Sequence, residues 1–138
     1  MVKKKKILEK LIIDLNLTNL VKLNPFVENI FPYINKSRCL ILSSFWEDPG
    51  FVILEAAACR TFIISSDCNN GPVEILENDK AGLLFKTNNN EDFIRVFSNY
   101  LKLSEIEINK IKKNALKKAK LFTIFSHAKN FVQILNNQ

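Results

Sequence analysis

The chain has little histidine or cysteine, and this shortage excludes several kinds of catalytic centre. Its 138 residues include one histidine and three cysteines. Cys39, Cys59 and Cys68 lack the spacing of metal ligands, so we expect no metal site. His127 lies in a segment of helical periodicity, and the sequence favours neither a cysteine–histidine nor a serine–histidine–aspartate nucleophile around it. An odd number of cysteines also fits a reducing compartment.

Long apolar runs are lacking too, and their absence bears on location. No run is long enough to cross a bilayer as a helix. The basic start, residues 1–6, is not followed by the apolar core and small-residue cleavage site of a secretory signal. We therefore expect a cytoplasmic protein. With 47% hydrophobic residues, the sequence predicts a single folded domain over residues 1–138.

Acidic residues are too few to balance the basic ones, and the formal net charge is +6. Most of the excess lies in residues 3–6 and 110–120, which most simply form solvated helix faces. Arginine is scarce, aromatic residues do not alternate with the basic runs, and no nucleic-acid motif occurs, so we expect no nucleic acid partner. If the basic runs have a function, weak association with the anionic inner face of a membrane is the expected one.

Helical and strand-like patterns alternate, which predicts an α/β domain with a Rossmann-like, mostly parallel sheet flanked by helices. Continuous apolar runs at residues 39–43 and 61–65 are typical of strands buried on both faces of such a sheet. Ser104 and Glu107 have the spacing of a capping box. The predicted strands are residues 20–23, 39–43, 61–65 and 82–85, and the predicted helices are residues 7–15, 27–35, 49–59, 72–76, 91–101, 104–120 and 124–135.

Two polar loops, residues 43–50 and 65–72, each follow a predicted strand. The carboxyl ends of parallel strands meet at one edge of the sheet, where ligands bind in this fold class. Glycine in such loops permits a close backbone approach to a ligand. The convergence predicts a site for a small anion such as a nucleoside diphosphate. The side chains and backbone amides expected there belong to Glu47, Gly50, Phe51, Glu55, Asp67, Asn70 and Gly71.

The segment from Glu47 to Glu55 is chemically unusual. Asp48 and Pro49 are typical of a helix start. The helix that follows, residues 49–59, is apolar almost all round, which predicts burial, and Glu55 is its one ionisable side chain. Glu47 lies just before the helix, where free backbone amides attract anions. Alternatively, Glu47 is a solvated loop charge and Glu55 pairs with a nearby lysine.

Several short segments in a fixed order carry a family resemblance. They are Leu42-Ser43-Ser44-Phe45-Trp46-Glu47 with Glu55-Ala56-Ala57-Ala58-Cys59, then Phe62-Ile63-Ile64-Ser65-Ser66-Asp67, Gly71-Pro72-Val73-Glu74-Ile75-Leu76 and Ala81-Gly82-Leu83-Leu84-Phe85. Two glutamates with seven residues between them are weak evidence alone, but the ordered set is specific. From residue 7 to residue 135 the chain resembles the C-terminal, donor-binding domain of retaining group 1 (family 4-like) glycosyltransferases, which have the two-domain GT-B fold.

The resemblance implies a role for each site residue. Glu55 would hold the ribose hydroxyls of a nucleoside-diphosphate sugar, and Glu47 would act as the catalytic-site carboxylate that contacts the transferred sugar. The amides around Gly50, Phe51 and Val52 would face the sugar or the distal phosphate, which suits a helix N-terminus. Glu74, at capping-box spacing from Gly71, would be structural. The donor is a substrate, and no other cofactor is implied.

The chain also departs from the family pattern. Asp48-Pro49-Gly50 replaces the usual Gly-Phe-Gly, and Arg60 replaces a usual glycine. Nothing matches the N-terminal acceptor domain, or the first two strands of the C-terminal domain, which supply cations to the diphosphate. In the family those strands lie between the strands that match residues 20–23 and 39–43. We therefore expect exposed strand edges, and a chain that is a fragment of a split or decayed gene or that needs a partner carrying the missing part.

The function that the resemblance implies is hexosyl-type sugar transfer with retention, in surface polysaccharide or lipopolysaccharide synthesis. Since the acceptor domain and the diphosphate cations are missing, we expect a truncated fragment with negligible turnover by itself. The alternative is a non-catalytic remnant or interaction module that needs a partner chain.

Overall fold

The computed structural model describes residues 2–136, and the chain divides into two compact units, Met1–Ile30 and Phe31–Gln138. The first unit contains α1 (Val2–Asp14), which confirms the predicted first helix. The strand predicted at residues 20–23 is wrong. Leu20 and Val21 both donate backbone hydrogen bonds to the Leu17 carbonyl oxygen and so form a turn. A strand needs a neighbour for its backbone groups, and this segment has none among the described residues.

The second unit is built on a parallel sheet, as predicted, with three described strands instead of the predicted four. Its strands are β1 (Cys39–Leu42), β2 (Phe62–Ser66) and β3 (Leu83–Phe85), in the order β1-β2-β3. Ile64 on β2 lies opposite Ile41 on one side and Leu83 on the other.

The two predicted buried strands differ in environment. Every residue of β2 is buried, as its apolar run predicts. β1 was also predicted to be covered on both faces, and this is wrong, because it lies at the sheet edge and Ile41 is 41% exposed. No described strand pairs with the outer side of β1. Its apolar run therefore belongs to a strand with only one neighbour, which leaves an edge open to association.

Short helices connect the strands. They are α2 (Phe31–Lys36), α3 (Phe51–Ala58) and α4 (Pro72–Ile75). α2 begins four residues later than predicted. This start places Pro32 in the first helical turn, where its missing N–H removes no intrahelical bond. α4 begins at Pro72, as predicted.

The C-terminal part of the chain is helical, as predicted. Its elements are α5 (Asn90–Lys102), α6 (Glu105–Ala119), a 3-10 turn (Lys120–Phe122) and α7 (Ile124–Asn136). The predicted capping box is confirmed, because the Ser104 hydroxyl accepts from the Glu107 amide while Glu107 accepts from the Ser104 amide. Within residues 2–136, no helix combines the length and the apolar character that crossing a bilayer requires.

One cluster of the core lies where β2 and β3 meet α5 and α6, while Ile53, Ile63 and Leu76 are buried outside this cluster. Phe62, Ile64, Phe85 and Val96 form the buried part of the cluster. The Tyr100 ring packs against Phe62 with ring centroids 4.7 Å apart. This packing covers one face of the sheet whose carboxyl edge carries the two polar loops.

Candidate functional site

The start of α3 differs from the sequence prediction. The Asp48–Pro49 signal predicts a helix from residue 49, but the helix begins at Phe51. Gly50 takes a left-handed conformation, with φ of 83° and ψ of 45°, and a helix cannot continue through it. No described side chain caps this helix start. The Phe51 and Val52 amides are therefore available to an anionic ligand, whereas the Ile53 amide donates to the Gly50 carbonyl oxygen at 2.9 Å.

Glu47 is held on the loop before α3. The Ser44 hydroxyl donates a hydrogen bond to Oε1 of Glu47. The Glu47 amide donates to the Asn69 carbonyl oxygen at 3.4 Å, a weak bond. Glu47 is half-buried, and among the described residues nothing donates to its second carboxylate oxygen. One oxygen is thus oriented while the other is open to a ligand.

Glu55 lies in α3 one turn after Phe51, so the two side chains share a helix face. The predicted burial of α3 on all sides is wrong, since Phe51 is 64% exposed and Glu55 is only half-buried. Ile53, Ala56 and Ala57 form the buried face. Within residues 2–136, the Glu55 carboxylate has neither an ion pair nor a hydrogen bond, so the alternative of a lysine partner is not found.

The two loops predicted to converge do lie together. The Ser66 hydroxyl donates to the Ser44 carbonyl oxygen at 2.6 Å and ties the ends of β1 and β2 to each other. The backbone of Gly71 runs against Pro49 so closely that a Cβ atom would lie 2.0 Å from the Pro49 carbonyl oxygen. This contact explains why glycine is required at position 71.

The predicted residues of the second loop line a cavity of about 700 Å³. Asp67, Asn70 and Gly71 all contribute to its wall, whereas Glu47 and Glu55 do not. The Asp67 carboxylate is already engaged, because its Oδ1 accepts from the Thr87 amide at 2.7 Å and from the Thr87 hydroxyl at 2.8 Å. A ligand at this wall would therefore meet the exposed second oxygen of Asp67 or the amide of Asn70.

A second cavity, of about 670 Å³, borders the start of α3 through Pro49 and Phe51. Its far wall comes from the end of α6 and from α7, and it includes Lys118 and His127. Sequence reasoning did not place these two residues near the site. A lysine within a basic run looks like part of a solvated face, and only the packing of α6 and α7 brings them close.

Glu74 also joins the site, although the sequence analysis gave it a structural role. It is exposed, it lines both cavities, and α4 has no side-chain cap. The predicted capping role is therefore wrong. Gly71, the residue before α4, has no side chain that could accept from the Glu74 amide, so a reciprocal box cannot form.

Lys118 is the cation of the second cavity. Its Nζ lies 3.2 Å from a carboxylate oxygen of Glu77 and 6.0 Å from the centroid of the Phe122 ring. The ion pair and the ring hold the ammonium group beside the cavity that contains Phe51. A negatively charged ligand would meet this ammonium group together with two carboxylates, Glu77 in the ion pair and Glu74 in the cavity wall.

Comparison with known proteins identifies the relatives of this chain. The family of group 1 glycosyl transferases matches residues 2–118. A Campylobacter jejuni protein, N-acetylgalactosamine-N,N'-diacetylbacillosaminyl-diphospho-undecaprenol 4-alpha-N-acetylgalactosaminyltransferase, is 28% identical over 126 residues. Those residues make up 91% of this chain and 34% of that enzyme.

Two crystal structures have the same fold. Anabaena HepE in complex with UDP matches with a TM-score of 0.84 at 21% identity, over 96% of this chain and 36% of HepE. The C-terminal domain of a Francisella tularensis group 1 glycosyl transferase, LpcC, matches with a TM-score of 0.73 at 20% identity, over 87% of this chain and 62% of that domain. These matches confirm the predicted fold, that of a GT-B C-terminal domain.

The chain thus spans about a third of the Campylobacter and Anabaena proteins. Its family match covers the sheet, both loops at the carboxyl edge and most of α6. By sequence and by fold, the chain belongs to the group 1 glycosyl transferases.

Proposed function

We propose that this chain provides the donor-binding part of a retaining glycosyltransferase and binds a nucleoside-diphosphate sugar at the carboxyl edge of its sheet. The arrangement that carries the proposal is the start of α3, an uncapped helix start behind Gly50 with Glu47 and Glu55 on either side of it. A helix start of this kind suits the diphosphate. The related HepE structure contains UDP, which supports the same ligand class here.

Each group has a task that suits its chemistry. The unpartnered carboxylate of Glu55 accepts two vicinal hydroxyl groups well, so it would bind the donor ribose. Glu47, oriented by Ser44, would accept from hydroxyl groups of the transferred sugar. The Phe51 and Val52 amides would donate to the distal phosphate or to the sugar. The contribution to catalysis is then positioning, together with stabilisation of the charge on the leaving diphosphate.

The finer assignments follow from the family and from the printed name of one relative. Retention and a hexosyl-type substrate are expected for the group that the sequence resembles. The Campylobacter relative transfers sugar to an undecaprenol-linked diphosphate acceptor, which supports surface polysaccharide or lipopolysaccharide synthesis for this chain. That setting would place the protein in the cytoplasm, peripheral at the inner membrane face.

Turnover by the isolated chain should be negligible. Lys118 and Lys80 are the cations that line the two described cavities, and Lys118 already pairs with Glu77. An acceptor-binding wall has no counterpart among the described residues that line these cavities. We therefore propose that the chain acts with an N-terminal acceptor domain, either in the same polypeptide or on a partner.

Calorimetric titration tests the proposal directly. UDP, GDP and ADP, their nucleosides and their glucose conjugates are titrated into the wild-type chain and into two variants. Glu55→Ala should weaken nucleoside and nucleoside diphosphate alike, by tenfold or more for a charged hydrogen-bond acceptor. Glu47→Ala should weaken only the sugar-bearing donor.

Glu105→Ala is the matched control, since it removes an exposed glutamate from the first turn of α6. It should leave every affinity unchanged. If Glu47→Ala and Glu55→Ala weaken all ligands equally, the division of roles is wrong. If no nucleotide binds the wild-type chain, donor binding is rejected.

One observation favours the alternative of an interaction module. Apolar side chains of α7 are exposed, with Phe125 at 83% and Ile124 at 78%, and the outer edge of β1 is open. Such surfaces are typical of a chain that associates with another. Under this alternative the chain binds no nucleotide but forms a stable complex, so the same titration separates the two functions.

A further inference from the structure

A concave basic surface lies between the end of α3 and one face of α6. It encloses about 500 Å³ and is lined chiefly by five cationic side chains. These are Arg60, Lys112, Lys113, Lys117 and Lys120, which we name the basic groove. Lys113, Lys117 and Lys120 recur at the spacing of one helix face, and Lys112 lies next to Lys113 in the chain. Arg60 lines the groove from the loop before β2.

The basic groove contains uncompensated charge. No aspartate or glutamate is among the described residues that line it. The ion pairs within residues 2–136 involve Lys5, Arg95 and Lys118, and none of the five cations of the groove. The positive charges around this concavity repel each other. An anion bound between them would be attracted to each cation, and this attraction would offset the repulsion. The remaining polar lining residue, Asn109, can donate to the same anion.

The backbone at Arg60 gives an independent indication. Arg60 has φ of 55° and follows the end of α3, where its amide donates to the Ala57 carbonyl oxygen and the Thr61 amide donates to that of Ala56. This is a Schellman ending, and glycine or asparagine normally occupies the left-handed position. Of the six other non-glycine residues described with positive φ, five are asparagine or aspartate and the sixth is Glu77. An arginine is strained at this position, and a function that requires its charge would explain why it is there.

We propose that the basic groove is a binding site for a phosphate group. Guanidinium binds phosphate oxygens in a bidentate manner, and the neighbouring ammonium groups add charge. The site is separate from the proposed donor site, because the groove shares no lining residue with either cavity at the carboxyl edge. Arg60 precedes β2 and so lies at the opposite edge of the sheet. The proposal therefore does not depend on donor binding.

The phosphate group could belong to a soluble molecule or to a lipid headgroup, and two binding assays distinguish these sources. Inorganic pyrophosphate is titrated calorimetrically into the full chain. In parallel, flotation measures binding to vesicles of phosphatidylglycerol with phosphatidylcholine, and to vesicles of phosphatidylcholine alone. Pyrophosphate could also bind at the start of α3. Both assays therefore compare the binding of the wild-type chain with that of variants in the groove residues.

Arg60→Gly is the decisive variant, because it removes the charge and suits the left-handed backbone. Its Tm should equal or exceed that of the wild type, while binding weakens about tenfold, as for one charge-assisted hydrogen bond. Lys112→Gln combined with Lys117→Gln should weaken binding further. Lys102→Gln combined with Lys129→Gln removes the same charge from exposed positions on α5 and α7 and should leave binding unchanged.

If the groove variants lose pyrophosphate binding and the control variant does not, the ligand is a soluble phosphate. Loss of binding to the phosphatidylglycerol vesicles in the groove variants alone supports a lipid phosphate. The proposal is overturned if control and groove variants weaken binding equally, since that result shows only the effect of net charge. It is also overturned if the wild-type chain binds neither probe at low ionic strength.

Discussion

Gly71 and Pro49 touch backbone to backbone, so that a Cβ atom on Gly71 would lie 2.0 Å from the Pro49 carbonyl oxygen. Gly71 also has φ of 130°, which L side chains rarely adopt. Gly71→Ala combines a backbone clash with conformational strain and should lower the free energy of unfolding by about 2–4 kcal/mol. Chemical denaturation of the purified variant measures this loss.

Gly50→Ala should destabilise the fold less than Gly71→Ala does. Gly50 also has positive φ, but an added Cβ would meet Ile53 Cδ1 at 3.5 Å, an ordinary contact. Only the left-handed backbone then opposes alanine, and the expected loss is about 1–2 kcal/mol. A larger loss at position 50 than at position 71 would contradict the contact between the two loops.

Ser44 orients Glu47, and its hydroxyl can be removed without breaking the link between the strands. Ser44→Ala keeps the Ser44 carbonyl oxygen, which accepts from Ser66, but deletes the donor to Glu47. If Glu47 contacts the transferred sugar, affinity for the sugar-bearing donor should fall about fivefold, equivalent to about 1 kcal/mol, while nucleoside diphosphate affinity stays constant. Ser43→Ala, one position earlier, is the control for an altered loop.

Asp67 and Thr87 are joined by two hydrogen bonds to one carboxylate oxygen. A double-mutant cycle with Asp67→Ala and Thr87→Ala should give a coupling of about 1–2 kcal/mol in the free energy of unfolding. Because the bond from the Thr87 amide persists in Thr87→Ala, the cycle measures the hydroxyl bond, and zero coupling would mean that this bond does not stabilise the fold. Nucleotide titration of Asp67→Ala tests separately whether Asp67 contacts a ligand.

The capping box of α6 predicts a pH dependence of stability. Hydrogen bonds from the Ser104 hydroxyl and then from its amide lower the pKa of Glu107 below its ordinary value of 4.5. A carboxyl group whose pKa is lower in the folded state than in the unfolded state stabilises the fold at any pH above the unfolded-state pKa. This stabilisation is lost as the pH falls through the folded-state pKa. Glu107→Gln should therefore reduce the free energy of unfolding at pH 7, and the difference from wild type should shrink toward pH 3.

Glu105→Gln is the matched control for this pH effect, since it removes an acid from the same helical turn but leaves the box intact. Its difference from wild type should vary less with pH. A constant difference between Glu107→Gln and wild type from pH 7 to pH 3 would contradict the role of the box.

Features with a local cause could be predicted from the sequence. The runs at residues 61–65 and 82–85 became strands, and Ser104 with Glu107 formed the box, because apolar pattern and capping depend on neighbours in the chain. The convergence of the two loops followed from the shared direction of parallel strands. These inferences needed no knowledge of which elements pack together.

Features that depend on distant contacts could not be predicted. Residues 20–23 have the composition of a strand, but a strand forms only beside another. The Asp48–Pro49 signal failed because Gly50 adopts a left-handed conformation. Lys118 and His127 line the second cavity because α6 and α7 pack beside the start of α3. No local sequence pattern predicts this packing.

The location of the core has a consequence for synthesis on the ribosome. Phe62 and Ile64 emerge early, but Val96 and the Tyr100 ring that covers Phe62 follow much later. Until α5 and α6 leave the exit tunnel, Phe62 and Ile64 lack the cover that these helices supply, although α3 precedes β2 and already packs against it. The nascent chain therefore presents a window for aggregation or chaperone capture, and slower translation between residues 66 and 96 would lengthen it.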